Sequence, residues 1–475
     1  MKITNEAPPR WQNQEEALQF ALQRPATMLN MDMGTGKTRV TIDYIFRRED
    51  VRRVLVVCPK AVIPVWRTNL EKFAKWIPWL CWDEIKGTIA QKAERIKDFI
   101  YPPGLDPNTS MHKIVVVNYD IVWRAPLGEL LRKFNFDLVV LDESHRAKSP
   151  GSKVSKYLGM LGKATKYRLC LSGTPMANSP LDVYGQYRFL DPSIFGTRYN
   201  DFRDTYAVLG GPEHNFVVGF KNLQQLNEKF QSIAYTCKMS DVADRLKLPD
   251  KLPPNEVKVQ LPAKDRKLMK DLNKEFIAEC EGGFVVLNNV LNKVLRMQQI
   301  CSGYVVTQEN PLAEKVTTLL NTAKEDALCE LLTDIDPGES LVVFCIFTRD
   351  LMSVAEACTR SGHKTYWLDG AHNELKEWQD STEGGVLIVQ IQAGAEGIDL
   401  TKASRGVYYN LPYSLALYEQ SLARLYRPGQ TKDVQFTYLL AEGTIDESIY
   451  ACLQNKKDLI TEVQQGTIDF SYLKK

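Results

Sequence analysis

Four strand-length runs, at residues 54–58, 114–117, 138–141 and 167–171, are apolar almost throughout and are separated by polar stretches long enough for helices. A strand that is apolar at consecutive positions has both faces to bury, which is the requirement of a parallel sheet covered by helices on either side. The pattern restarts late in the chain at 341–344, 386–389, 406–409 and 435–440. It therefore predicts an α/β fold with two parallel sheets flanked by helices. The 475 residues have room for about three domain-sized units. Residues 180–300 read mainly as helices, for example 222–230 and 263–281, with a break at Leu252-Pro253-Pro254. The expected division is a first lobe over 1–195, a mainly helical insertion and linker over 196–308, and a second lobe over 309–475.

Composition narrows the setting. With 44% hydrophobic and 25% charged residues the chain falls among ordinary globular proteins. Its first nine residues lack the apolar core of a signal peptide, and its longest apolar runs fall well short of the roughly 20 residues that span a bilayer. A protein neither exported nor membrane-embedded is expected. Ten cysteines form no Cys-x-x-Cys pair and five histidines stand apart from them, so no structural zinc and no disulfide framework is expected. Reduced thiols fit a cytoplasm.

The chemistry-bearing residues lie just beyond the strand runs. After a strand at 27–30 comes Met33-Gly34-Thr35-Gly36-Lys37-Thr38. Gly34 and Gly36 let the backbone turn N–H groups toward phosphate oxygens, Lys37 would neutralise the β- and γ-phosphates of ATP, and the Thr38 hydroxyl would ligate Mg²⁺. The generic pattern places a further glycine six residues before its lysine, where this chain has Met31. The run at 138–141 ends in Asp142-Glu143-Ser144-His145. Ligands gather at the carboxyl ends of parallel strands, so Asp142 would hold Mg²⁺ and Glu143 would orient and deprotonate an attacking water. Ser172-Gly173-Thr174-Pro175 brings hydroxyls to the same sheet edge, where they could sense γ-phosphate, meet a nucleic-acid phosphate, or simply form a turn. Arg424 and Arg427, three apart on a helix expected after Tyr418, would share one face and suit the spread charge of a transferring phosphoryl group. From Arg146 to Arg168 there are seven basic residues and no acidic one, which reads either as a solvated face or as a phosphate-contacting surface.

Taken in order, several boxes resemble those of superfamily-two helicases: Gln14 in its Gln-Glu-Glu-Ala-Leu context, residues 34–38, Cys58-Pro59-Lys60, Asn118-Tyr119, residues 142–145, residues 172–175, Val343-Phe344, residues 392–401 and residues 420–430. More narrowly the chain is similar to Swi/Snf-type ATPases, through residues 146–153, Leu190-Asp191-Pro192 with Phe195-Gly196, and residues 295–301. That resemblance implies two RecA-like lobes with ATP between them and double-stranded DNA lying across both. It implies that Gln14 reads the adenine, with Arg10 assisting, and that Gly34, Thr35, Gly36, Lys37 and Thr38 bind nucleotide and metal. Gly397 is implied near the γ-phosphate, and Arg424 and Arg427 become arginine fingers. Lys60, His145, Arg146, Lys148, Ser172, Thr174 and Gln392 are implied in nucleic-acid contact or in coupling it to nucleotide state.

Two departures stand out. The family's Arg-Arg-x-Lys element has its counterpart in Cys237-Lys238-Met239-Ser240-Asp241-Val242, and its common asparagine in Gly-Ile-Asn-Leu-Thr is Asp399. The resemblance covers nearly the whole chain, so a bare monomeric motor is expected, in a bacterial or viral-host cytoplasm and not in a nucleus. Its expected activity is DNA-dependent ATP hydrolysis driving translocation on duplex DNA. A strand-separating DNA or RNA helicase and a nucleotide-switched nucleic-acid-binding module are the alternatives.

Overall fold

The computed structural model describes residues 9–75, 77–103, 112–176, 179–210, 216–281, 287–307, 316–394 and 398–455. The chain divides into two compact units, Met1–Leu246 and Lys247–Lys475.

In the first unit the strands β1 (Ala26–Met31), β2 (Arg53–Cys58), β3 (Trp79–Cys81), β4 (Lys113–Asn118), β5 (Leu138–Asp142) and β6 (Tyr167–Ser172) join the strand Ala234–Cys237 in one sheet. The order is β3, β4, β2, β5, β6, β1 and then Ala234–Cys237, parallel throughout. Successive side chains of a strand point to opposite faces. Leu55, Val57, Val139 and Leu141 accordingly enter one core, while Val54, Val56, Leu138 and Val140 enter a second core on the other face. Each such side chain contributes about 1.5–3 kcal/mol on burial. This two-sided burial is why the runs lack polar alternation. The strand order also sets the site, because β5 and β6 lie between β1 and β2. The turns that follow β1, β5 and β6 thus emerge side by side at one sheet edge.

The second unit repeats the plan. Its strands run Asn255–Val259, Gln435–Ala441, Arg405–Tyr408, Ser340–Cys345, Gly385–Gln390 and Thr365–Leu368 across a parallel sheet. Val342, Phe344, Leu387 and Val389 fill one core, and Leu341, Val343, Val386 and Ile388 the other. Both sheets have the helix-flanked parallel architecture anticipated from the apolar runs, and the RecA-like form that the resemblance implied.

The segment 196–308 is shared between the units. The helices Tyr199–Tyr206 and Leu223–Gln231 belong to the first, where Tyr184, Phe195, Phe202 and Tyr206 pack ring against ring, with centroids 5.1 Å apart for Tyr184 and Phe202. The helix Ala263–Glu281 belongs to the second. Each half also supplies an edge strand, Ala234–Cys237 beside β1 and Asn255–Val259 beside Gln435–Ala441. Edge strands are short and half-exposed, so they carry no continuous apolar run. Among the described residues no helix is long and apolar enough to cross a membrane.

Candidate nucleotide-binding site

The turn after β1 leads directly into the helix α2 (Lys37–Arg47). Gly34 has φ 81° and Gly36 φ 97°, backbone conformations that favour glycine. A Cβ added at Gly36 would lie 2.2 Å from Gln14 Nε2, so a side chain there would also displace the end of Gln14. The Lys37 ammonium donates to the carbonyl of Met31 at 2.7 Å and to that of Asp32 at 3.2 Å. Met31 explains the missing first glycine. It is still paired within the sheet, where any residue is accommodated, and its side chain is in the core. What the loop uses there is the carbonyl.

Thr35 is fully buried and holds the turn shut, its hydroxyl donating to Asp32 O at 2.7 Å while Asn13 Nδ2 donates to Thr35 O at 3.0 Å. Thr38 lies half-buried in the first turn of α2. Gln14, on the helix α1 (Gln12–Leu22), is buried against Gly36 and accepts from Trp11 N at 3.1 Å. Arg10 is engaged with α2, donating from Nε to Asp43 at 2.7 Å and from Nη1 to Glu15 at 3.0 Å.

At the end of β5 the Asp142 carboxylate receives two donors, Trp66 Nε1 at 2.7 Å and the Glu143 amide at 3.0 Å. Trp66 comes from the helix α3 (Ile63–Phe73), which follows β2. Burial, and then the neighbouring Glu143 charge, push Asp142 up to about 6, against the pull of Trp66 and Lys37. Tyr119 donates to Asp142 O at 2.8 Å and so anchors the backbone as well. Glu143 itself has φ 48°, a left-handed conformation rare outside glycine. His145 Nδ1 lies 3.4 Å from Glu143 Oε2 and 3.4 Å from Ser172 Oγ, which in turn accepts from Thr174 N at 3.1 Å. Lys60 is exposed at the turn after β2.

The donor set suits a nucleotide with a hard divalent cation. A backbone cradle, a lysine at its rim, a hydroxyl at the helix start and a carboxylate with lone pairs to spare are oxygen-rich and match Mg²⁺ rather than a softer metal.

The basic run is not one surface. Arg146 is exposed and Lys148 pairs with Asp182 at 3.3 Å near the carboxylates. Lys166 pairs instead with Asp50 at 2.6 Å, and Arg168 Nη1 donates to Gly162 O at 3.4 Å, at the amino-terminal end of β6 and so at the opposite sheet edge.

In the second unit the helix Leu415–Leu425 carries Arg424 but ends before Arg427, so the two arginines do not share a helical face as expected. The residue before a proline is driven out of the helical region, and Pro428 with Gly429 at φ 107° forces the exit. Arg427 Nη1 donates to Ile398 O at 3.1 Å, and Arg424 O accepts from Leu400 N at 3.2 Å. Gln392 is exposed on the short helix Ile391–Gly394, and Gly397 lies outside the described residues. Asp399 is satisfied locally, accepting from Thr401 N at 2.9 Å and Thr401 Oγ1 at 2.7 Å. The Cys237–Val242 departure also has a place, with Cys237 O accepting from Asp32 N at 2.9 Å and Met239 N donating to Asp32 Oδ2 at 2.8 Å.

Sequence reasoning gave no role to Asp32 or Trp66, which brace this site, and named Tyr119 only within the Asn118-Tyr119 box. Outside the site it also passed over Gln186, a lone amide among the apolar residues of the helix Val183–Leu190.

A strand, glycine turn and helix faced by a carboxylate strand, with a second RecA-like unit following, define a helicase-like P-loop ATPase core. A model of the SNF2-related domain matches residues 13–304 and one of the helicase conserved C-terminal domain matches residues 323–429, so the chain belongs to the SNF2-related family. It is 26% identical over 472 residues to the human DNA annealing helicase and endonuclease ZRANB3, covering 95% of this chain and 40% of that one. An uncharacterized ATP-dependent helicase of Mycoplasma pneumoniae is 24% identical over 456 residues, or 92% of this chain and 40% of the relative. The chain thus spans about two fifths of the length of the curated relatives it matches. Among solved structures, a Sulfolobus solfataricus SWI2/SNF2 ATPase core in complex with dsDNA aligns over 98% of this chain and 95% of that chain at 20% identity and TM-score 0.44.

Proposed function

We propose that this chain hydrolyses ATP on binding double-stranded DNA and uses the cycle to translocate along the duplex. The observation that carries the hydrolytic part is the Asp142-Glu143 pair beside the Lys37 loop. A module that only bound nucleotide would need the cradle but not a second carboxylate held in a left-handed backbone.

In this reading Gln14 recognises the base, with Arg10 braced against Asp43 behind it. The amides of residues 34–38 and Lys37 hold the phosphates. Thr38 and Asp142 would hold Mg²⁺, which supplies charge neutralisation on the phosphates when bound. Trp66 and the Glu143 amide keep the Asp142 carboxylate in one orientation. Glu143 orients the attacking water and accepts its proton, and the resemblance assigns Arg424 and Arg427 to the transferring phosphoryl group.

The path Glu143, His145, Ser172 and Thr174 gives the carboxylates a polar connection to the Ser-Gly-Thr-Pro turn, which supports a coupling role for that turn. Arg146, Lys148, Lys60 and Gln392 are the nucleic-acid or coupling residues of this reading. DNA as the nucleic acid is supported by the human relative's description as a DNA annealing helicase.

Steady-state ATP hydrolysis with duplex DNA, single-stranded DNA, single-stranded RNA or no nucleic acid tests the proposal. Stimulation by duplex is expected. Stimulation by single-stranded RNA alone would replace it, and triplex displacement without strand separation distinguishes translocation from unwinding.

A further inference from the structure

We infer that Gln186 is a positioning residue that ties the carboxylate box to the Ser-Gly-Thr-Pro turn and so makes ATP turnover responsive to nucleic acid, an inference that rests on the function proposed above. Gln186 is fully buried on the helix Val183–Leu190, among Val183, Tyr184, Tyr187 and Phe189. An amide in such a place is retained only with its hydrogen bonds made. Its Oε1 accepts from Ser144 Oγ at 2.7 Å, and its Nε2 donates to Pro175 O at 2.7 Å and Asp182 O at 3.0 Å. Ser144 immediately follows Glu143, and Pro175 closes the turn that begins at Ser172. One side chain therefore joins the two boxes.

The same helix, together with Asp182 just before it, grips the chain beyond Ser144 at three more points. A Cβ on Gly185 would lie 2.1 Å from Ala147 O, so the helix backbone sits directly on that segment. Asp182 pairs with Lys148 at 3.3 Å, and Arg188 Nη2 donates to Pro150 O at 3.1 Å. A displacement of the 172–175 turn must carry residues 144–150 with it, Arg146 and Lys148 included, or break the bonds of Gln186. A buried amide with both of its polar atoms bonded is stiff, and a stiff link is what transmission between two loops requires. Leucine at 186 keeps the volume and the helix but removes the link.

The test uses the full chain. ATP hydrolysis is measured with and without duplex DNA, and duplex affinity with and without a non-hydrolysable ATP analogue, for the wild type, Gln186→Leu, Ser144→Ala and Leu190→Ala. Gln186→Leu and Ser144→Ala, which break the same bond from either side, are expected to lower duplex stimulation roughly fivefold or more and to bring the two duplex affinities together. Their unstimulated rate and ATP affinity should change little. Leu190→Ala, which loosens the same helix from within the core, should lower the thermal midpoint and keep the stimulation factor. Full stimulation in a folded Gln186→Leu or Ser144→Ala protein would overturn the inference, as would an equal loss in Leu190→Ala. A wild type with no nucleic-acid stimulation would instead bring down the proposed function, and this inference with it.

Discussion

The indole N–H of Trp66 donates to Asp142 Oδ2 at 2.7 Å, so a side chain on the helix after β2 orients the carboxylate at the end of β5. Trp66 is fully buried, and the Glu143 amide holds the other carboxylate oxygen. Groups that orient a metal ligand from behind typically control metal affinity by about 10–100-fold. Trp66→Phe keeps the ring and removes the donor, so it is expected to weaken nucleotide binding in Mg²⁺ roughly tenfold. Binding in the presence of a chelator should be unchanged, as followed by calorimetric titration. An equal loss in both conditions would mean that the ring supports the fold and not the metal.

Glu143 is the group assigned to the attacking water, and its amide analogue cannot accept the proton. Glu143→Gln should reduce turnover by about 100-fold or more while ATP still binds. Single-turnover hydrolysis alongside an equilibrium binding curve separates the two. Turnover at the wild-type rate would leave the hydrolytic reading without its base.

Gly36 combines a left-handed backbone with a close approach of the Gln14 side chain, which would have to move to admit a Cβ. Gly36→Ala is expected to lower stability by about 1–3 kcal/mol, from backbone strain together with the collision against Gln14. Truncating the obstacle in a Gly36→Ala/Gln14→Ala protein should recover the collision part and leave the strain. Denaturant melts of the single and double variants measure both, and identical midpoints would show that Gln14 is not the obstacle.

Asp350 in the second unit is fully buried and accepts from Asn410 Nδ2 at 2.5 Å and from Phe347 N at 3.2 Å. Burial pushes it up to about 6, well above an ordinary aspartate. Between pH 4 and 6 the native state therefore binds the proton that the unfolded chain releases, and this group's contribution to stability falls as pH rises through that window. Asp350→Asn mimics the protonated form and should remove that component, gaining about 2 kcal/mol on the wild type from pH 4 to 7. Thermal midpoints across the range check it. Parallel curves would contradict the raised value.

The two sheets were legible because their signal is local. Consecutive apolar residues such as Val54 to Val57, strand-length and spaced by helix-length polar segments, suit strands of a parallel sheet covered on both faces, and glycines 34 and 36 carry their backbone requirement wherever they stand. The cradle, the carboxylates and their common sheet edge followed from those rules alone. The placement of Arg427 did not, because helical spacing was extended past Leu425 to the residue that Pro428 keeps out of the helical region.

The chain's own residues thus determined a two-sheet α/β architecture and a phosphate cradle, since burial and backbone freedom act over a few consecutive positions. Tertiary structure decided what orients the cradle's partners. Trp66 meets Asp142 across 76 positions and Gln186 meets Ser144 across 42, and such hydrogen bonds leave no periodic trace in the sequence. Likewise Ala234–Cys237 and Asn255–Val259 became strands only because β1 and Gln435–Ala441 offered open edges for their N–H and C=O groups to pair with.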